Sequence, residues 1–292
     1  MSAVGDAADF LASPPVALPR TWMFSLSGRD GRDRRVMVAA PATPPPPGGY
    51  PAIYVLDGHA VFGLARDVAN LFAVRAEVSG IDHGLVVAIG YPSGETFDGP
   101  ARTLDFTAPG IVPSAPTRPN GRPWPSTGGA DSFLDFLTRN LVPLIESEWN
   151  ASRERRTLFG HSLGGLFAVH ALLTRPASFC TYVAASPSLW FAQEQSLPQP
   201  SLADELGVLS PRTVLLIAGA LEEPAHAAPL DTGRAERQRR NRILGNARDL
   251  LDRLCLAAPN LRASLLVLPD ENHASMLPAA VGRAVRLAFA ST

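Results

Sequence analysis

The chain has 292 residues, 46% of them hydrophobic, and a formal net charge of −1. That supplies core material for one large α/β domain or two small ones, and no charge excess that points to nucleic acid or an anionic membrane. All 26 basic residues are arginine, which excludes a Ser-Lys dyad, a Schiff-base lysine and a Walker lysine together.

Residues 1–20 carry neither the basic n-region nor the apolar stretch of a signal peptide. The sequence as it stands predicts a cytoplasmic protein, or a periplasmic one had a signal been removed. Residues 1–20 are read as an extension and residues 21–292 as one domain. No apolar run is long enough to insert into a membrane.

Short β-branched runs predict strands at 22–26 and 35–39, pairing as an antiparallel hairpin at one sheet edge. The stiff connector PATPPPPGGYP leads to a strand at 52–56, the turn Asp57-Gly58-His59 and a helix over 61–78. After a strand at 85–89, residues 91–130 are rich in Pro and Gly. A long insert there follows a buried strand, where α/β enzymes place ligands.

A helix is predicted over 131–149, started by Gly128, Gly129 and an Asp131 cap and kinked at Pro143. Strands follow at 156–159, 181–184, 213–218 and 264–268, alternating with helices at 163–174, 234–256 and 275–289. From residue 52 onward the strands are continuously apolar, as strands covered on both faces must be. The fold class is therefore α/β, a mostly parallel sheet with helices on both faces. The basic run RAERQRRNR, residues 234–242, reads as a solvated helix face. Cys180 and Cys255 read as buried packing residues. Neither lies in a metal-spaced cluster, and no metal or cofactor is implied.

The stretch TLFGHSLGGL contains Gly160-His161-Ser162-Leu163-Gly164, a G-x-S-x-G between a predicted strand and a predicted helix. A turn that sharp puts Ser162 into strained dihedrals, and side chains at the flanking positions would meet backbone. The hydroxyl then needs a base. In a strand–turn–helix elbow of this kind the acid and the histidine follow the serine in the chain. His59 and His83 precede Ser162, His161 should point elsewhere, and His170 reads as a packed helix residue. His273, between the last strand and the last helix, is the expected base, ahead of His226. Glu222 and Glu223 follow the strand at 213–218 and are both available as the acid, with Asp231 a weaker candidate. A Ser-His dyad remains an alternative. The Leu163 amide and an amide of the turn after residue 56, from Gly58 or His59, are the candidate oxyanion donors.

These residues resemble the esterase branch of the α/β-hydrolases. The pieces that carry the likeness are YVLDGHAVF, GGADSFLDFL, RRTLFGHSLGGLFAVHALLTRP, AASPSLWF and ENHASM. Within that branch, VVAIGYPSGETFDGPARTLDFTAP and SPSLWF resemble bacterial esterases of trilactone siderophores such as enterobactin, salmochelin and bacillibactin. The resemblance implies Ser162, His273 and Glu222 as the catalytic residues and Asp57, Arg102 and Trp190 as substrate contacts. It implies a small-molecule ester substrate, a catecholate trilactone or its ferric complex. Three deprotonated catechols around iron are anionic and aromatic, so a guanidinium suits them. An Arg102–Asp105 surface pair and a packed Trp190 are the alternative roles. The alternative functions are a general carboxylesterase or acyl-thioesterase and a catalytically inactive binder.

Overall fold

The structure, a computed structural model, describes residues 16–111, 113, 118, 121–192, 212–223 and 232–291. In chain order its strands are β1 (Thr21–Ser27), β2 (Asp33–Ala39), β3 (Tyr50–Leu56), β4 (Leu85–Gly90), β5 (Ala151–His161), β6 (Thr181–Ala185), β7 (Thr213–Gly219) and β8 (Arg262–Leu268). They form one eight-stranded sheet in the order β1-β2-β4-β3-β5-β6-β7-β8. The β1/β2 and β2/β4 pairs are antiparallel and every later pair is parallel. All eight predicted strands are present, with the hairpin at the edge.

The helices are α1 (Gly58–Ala73), α2 (Ala76–Ser79), α3 (Gly99–Asp105), α4 (Ala130–Phe136), α5 (Val142–Trp149), α6 (Leu163–Thr174), α7 (Leu189–Ala192), α8 (Thr232–Asn241), α9 (Ile243–Ala257) and α10 (Met276–Ala288). Period-two alternation sends Tyr54 and Leu158 to one face of the sheet and Ile53, Val55 and Phe159 to the other. The first face packs on α4, α6 and α9, and the second on α1 and α10. No helix among the described residues is long and apolar enough to cross a membrane.

Several boundaries differ from expectation. Gly129, not Asp131, is the N-cap of α4, and Asp131 uses its side chain to accept a 2.9 Å bond from His170 Nε2. His170 is thus a polar tether between helices rather than a core residue. Ahead of Pro143 the helix widens into a π-turn over Leu137–Leu141, which accommodates the proline's missing donor and its ring without ending the helix. The predicted helix over 234–256 breaks at Arg242, whose φ of 41° is left-handed. β5 starts five residues earlier than expected, because its first part leaves Arg153 and Glu154 exposed and so lacks an apolar signature. Cys255 is exposed, not packed, and both cysteines are free.

In the long insert, α3 is anchored by an ion cluster. Arg34, 1% exposed, reaches Asp105 at 3.1 Å and Asp30 at 2.8 Å and lies over the Phe136 ring. Arg32 also pairs with Asp105. Asp105 is therefore buried and spoken for, and Arg102 does not pair with it.

Candidate active site

The parallel strands all end at one sheet edge, and the residues just past those ends make the site. Ser162 follows β5 at φ 60° and ψ −116°, a strained conformation for a residue with a side chain. The strain is held from both sides. The Ser162 amide donates to Ala185 O at 2.9 Å, and its carbonyl accepts from Leu166 N and Ser188 N, each at 3.0 Å.

The glycines around it differ in purpose. A Cβ on Gly160 would run into the Gly164 carbonyl, as expected. One on Gly164 would make ordinary contacts at 3.6 Å, so the expected collision is absent there. The second tight position is Gly165, where a Cβ would lie 2.9 Å from Ala185 O and 3.0 Å from Pro187 Cα.

Ser162 Oγ lies 3.1 Å from His273 Nε2. His273 Nδ1 donates to Glu222 Oε1 at 2.7 Å. Glu222 sits on a 3₁₀ turn after β7 and is 4% exposed. Its other oxygen accepts from the Gly219 amide at 2.8 Å and from Ser186 Oγ at 2.7 Å. Of the two candidate acids, Glu222 meets the histidine; Glu223 faces Arg248 at 3.4 Å. His226 and Asp231 lie outside the described residues. The turn bearing Glu222 is tied to the histidine loop by Leu221 N donating to Glu271 O at 3.0 Å.

His161 points away from the substrate side, under His273. Its Nε2 donates to the His273 carbonyl at 2.9 Å, and the two rings are 4.8 Å apart. Burial, reinforced by His273, pushes the His161 imidazole down to about 3, so it is neutral at ordinary pH.

Leu163 and Gly58 are the first residues of α6 and α1. Amides in a helix's first turn have no acceptor within the helix, so both are available to a ligand. His59 is the next residue of α1, and burial lowers its pKa. Asp57, at φ 54°, turns the chain between β3 and α1. It is gripped bidentately by Arg102, whose Nε and Nη2 donate to the two carboxylate oxygens at 2.8 and 2.9 Å. The same guanidinium lies 5.5 Å from the ring centres of Phe97 and Phe106. Asp57 and Arg102 are thus partnered with each other, and any anion that meets Arg102 shares it with Asp57.

A cavity of about 470 Å³ opens on Ser162 and His273. Ser188, Trp190, Leu221 and Gln238 are among the side chains in its wall. Trp190 stands beside Trp124 and Phe191, at centroid distances of 6.3 and 5.6 Å. Sequence reasoning missed Ser186, Ser188 and Gln238. The two serines had a signal, being hydroxyls either side of a proline directly after an apolar strand. Gln238 sits in the basic run and had none.

A mostly parallel sheet that gathers a strained serine, a histidine and a carboxylate at its strand ends is an α/β-hydrolase. The chain belongs to the family described as "Putative esterase", whose model matches residues 27–246. It is 38% identical over 276 residues to the ferri-bacillibactin esterase BesA of Bacillus subtilis, spanning 93% of this chain and 90% of that one. It is 38% identical over 183 residues to the siderophore triacetylfusarinine C esterase of Aspergillus fumigatus, spanning 61% of this chain and 59% of that one. The crystal structure of the BES protein from Bacillus cereus superposes with a TM-score of 0.82 at 32% identity, covering 95% of this chain and 98% of that one.

Proposed function

We propose that this esterase uses Ser162 as nucleophile and hydrolyses the ester bonds of a catecholate trilactone siderophore, aiding iron release. The observation that carries the proposal is the continuous line from Ser162 through His273 to Glu222 at the mouth of the cavity. The likeness to an esterase named for ferri-bacillibactin supports the substrate and favours its iron-loaded form.

In the proposed reaction Ser162 Oγ attacks the ester carbonyl carbon while its proton passes to His273 Nε2. Glu222 holds the imidazolium through Nδ1. The Leu163 amide, with Gly58 or His59, holds the oxyanion. The ester C–O bond then breaks, and the departing alkoxide takes the proton from His273. Water attacks the acyl-enzyme, gives its proton to His273, and Ser162 leaves with that proton. Trp190 supplies an apolar wall for a catechol ring. Arg102 serves chiefly to hold Asp57 and the turn that carries Gly58, and only its exposed edge is open to an anionic substrate.

Product-resolved hydrolysis tests the reading. Iron-loaded and iron-free trilactones are compared with a short nitrophenyl ester and an acylated sugar. The expected result is trilactone cleavage with the highest kcat/KM. Preference for the simple esters, with intact trilactone, would overturn the substrate and favour a general carboxylesterase.

A further inference from the structure

We propose that Ser188 is a second catalytic hydroxyl, donating a hydrogen bond to the oxygen of the nucleophile. The inference rests on Ser162 being that nucleophile. Ser188 Oγ is 3.2 Å from Ser162 Oγ, and distance alone leaves either one as donor. The rest of the chain of bonds decides it. A carboxylate can only accept, so Glu222 takes the Gly219 amide proton on one oxygen and the Nδ1 proton of His273 on the other. A neutral imidazole protonated at Nδ1 has a bare Nε2. Nε2 must then accept the Ser162 hydroxyl proton. With its only proton committed, Ser162 Oγ meets Ser188 as an acceptor, and the Ser188 hydroxyl is the donor.

The position is built rather than incidental. Ser188 is 2% exposed, and its amide donates to the Ser162 carbonyl at 3.0 Å. Two residues earlier, Ser186 donates to Glu222 Oε2 from a left-handed backbone, φ 41°. The segment Ser186-Pro187-Ser188 therefore holds both ends of the relay, and its Pro187 Cα runs so close to Gly165 that a Cβ there would lie 3.0 Å away. Ser186 acts through Glu222 and is a positioning residue.

The donor matters when charge is on Ser162 Oγ. That charge develops as the proton leaves for His273 and the Oγ–C bond forms, and it returns when the acyl-enzyme expels the same oxygen. In both transition states the Ser188 O–H faces a partly anionic acceptor, where hydrogen bonds are stronger than in the resting pair. Both half-reactions should slow without it, with ground-state binding little changed.

The test uses Ser188→Ala, Ser188→Thr and Ser188→Val in the full chain, with nitrophenyl ester turnover and the second-order rate of fluorophosphonate labelling as readouts. Removing the hydroxyl in the Ala and Val variants should lower kcat and the labelling rate together by about tenfold. KM should stay within about twofold and the pH profile keep its shape, since a hydroxyl does not titrate there. Thr, which keeps the donor in the shape of Val, should recover most of the rate. Wild-type rates in Ser188→Ala, or a Thr variant no faster than Val, would overturn the proposal. If Ser162→Ala itself retains turnover, the nucleophile assignment fails instead, and the two failures are distinct.

Discussion

Glu222 gives one carboxylate oxygen to His273 Nδ1 at 2.7 Å and keeps the other for the Gly219 amide and the Ser186 hydroxyl. The carboxylate is thereby fixed in the orientation that sets the histidine tautomer. Glu222→Gln can present an N–H toward Nδ1, which favours the wrong tautomer. Its kcat should fall by about a hundredfold or more, with KM little changed. A loss under about threefold would mean that Ser162 and His273 work as a dyad and that Glu222 only packs.

His161 gives a pH signature in stability. Its folded pKa, about 3, lies below the ordinary value of 6.5. Between those values the unfolded chain binds the proton that the folded protein refuses, so stability falls as pH drops. The contribution is fully present above about pH 6.5 and is lost toward pH 3, up to roughly 4–5 kcal/mol. Urea unfolding of wild type and His161→Gln at pH 7 and pH 4.5 should show a smaller pH-induced loss in the variant. Equal losses would remove this imidazole from the acid response. His161→Leu, which has no N–H, should also lower kcat, because the His273 carbonyl loses its donor.

Arg102 separates two roles by substrate charge. If it works by clamping Asp57, Arg102→Lys should depress kcat/KM for a neutral nitrophenyl ester and for a ferric trilactone by similar factors, because a point charge cannot replace the bidentate grip. A loss confined to the ferric substrate would instead make the guanidinium a direct contact.

The buried Arg34–Asp105 pair should dominate the stability of the long insert. Asp105→Ala leaves a guanidinium that is 1% exposed beside a missing partner. Unfolding free energy should drop by roughly 3–5 kcal/mol. The folded fraction should keep its turnover on a nitrophenyl ester. A change under about 1 kcal/mol would mean that Asp30 alone satisfies the Arg34 guanidinium.

Much of this was legible in the sequence. Period-two and continuous apolar runs marked all eight strands, because burial on one or both faces leaves that pattern. The positions of Ser162 and His273 followed from glycine placement and chain order. The choice between Glu222 and Glu223 did not, since adjacent residues on a turn point in opposite directions and only the backbone decides which meets His273. The alternative pairing of Arg102 with Asp105 fails for a similar reason. Asp105 is three residues away on the same helix, whereas Asp57 is brought close by the sheet edge. Ser188 carried only a local signal, a hydroxyl beside a proline after an apolar strand, and its place against Ser162 is set by the fold, across 26 residues of chain.

The most direct measurement is the intact mass and peptide map of the protein after exposure to a fluorophosphonate. One adduct is expected, on Ser162, formed rapidly in wild type, slowly in His273→Ala and not at all in Ser162→Ala. An adduct that persists in Ser162→Ala, or that maps to Ser188 in the wild-type protein, would contradict Ser162 as the nucleophile.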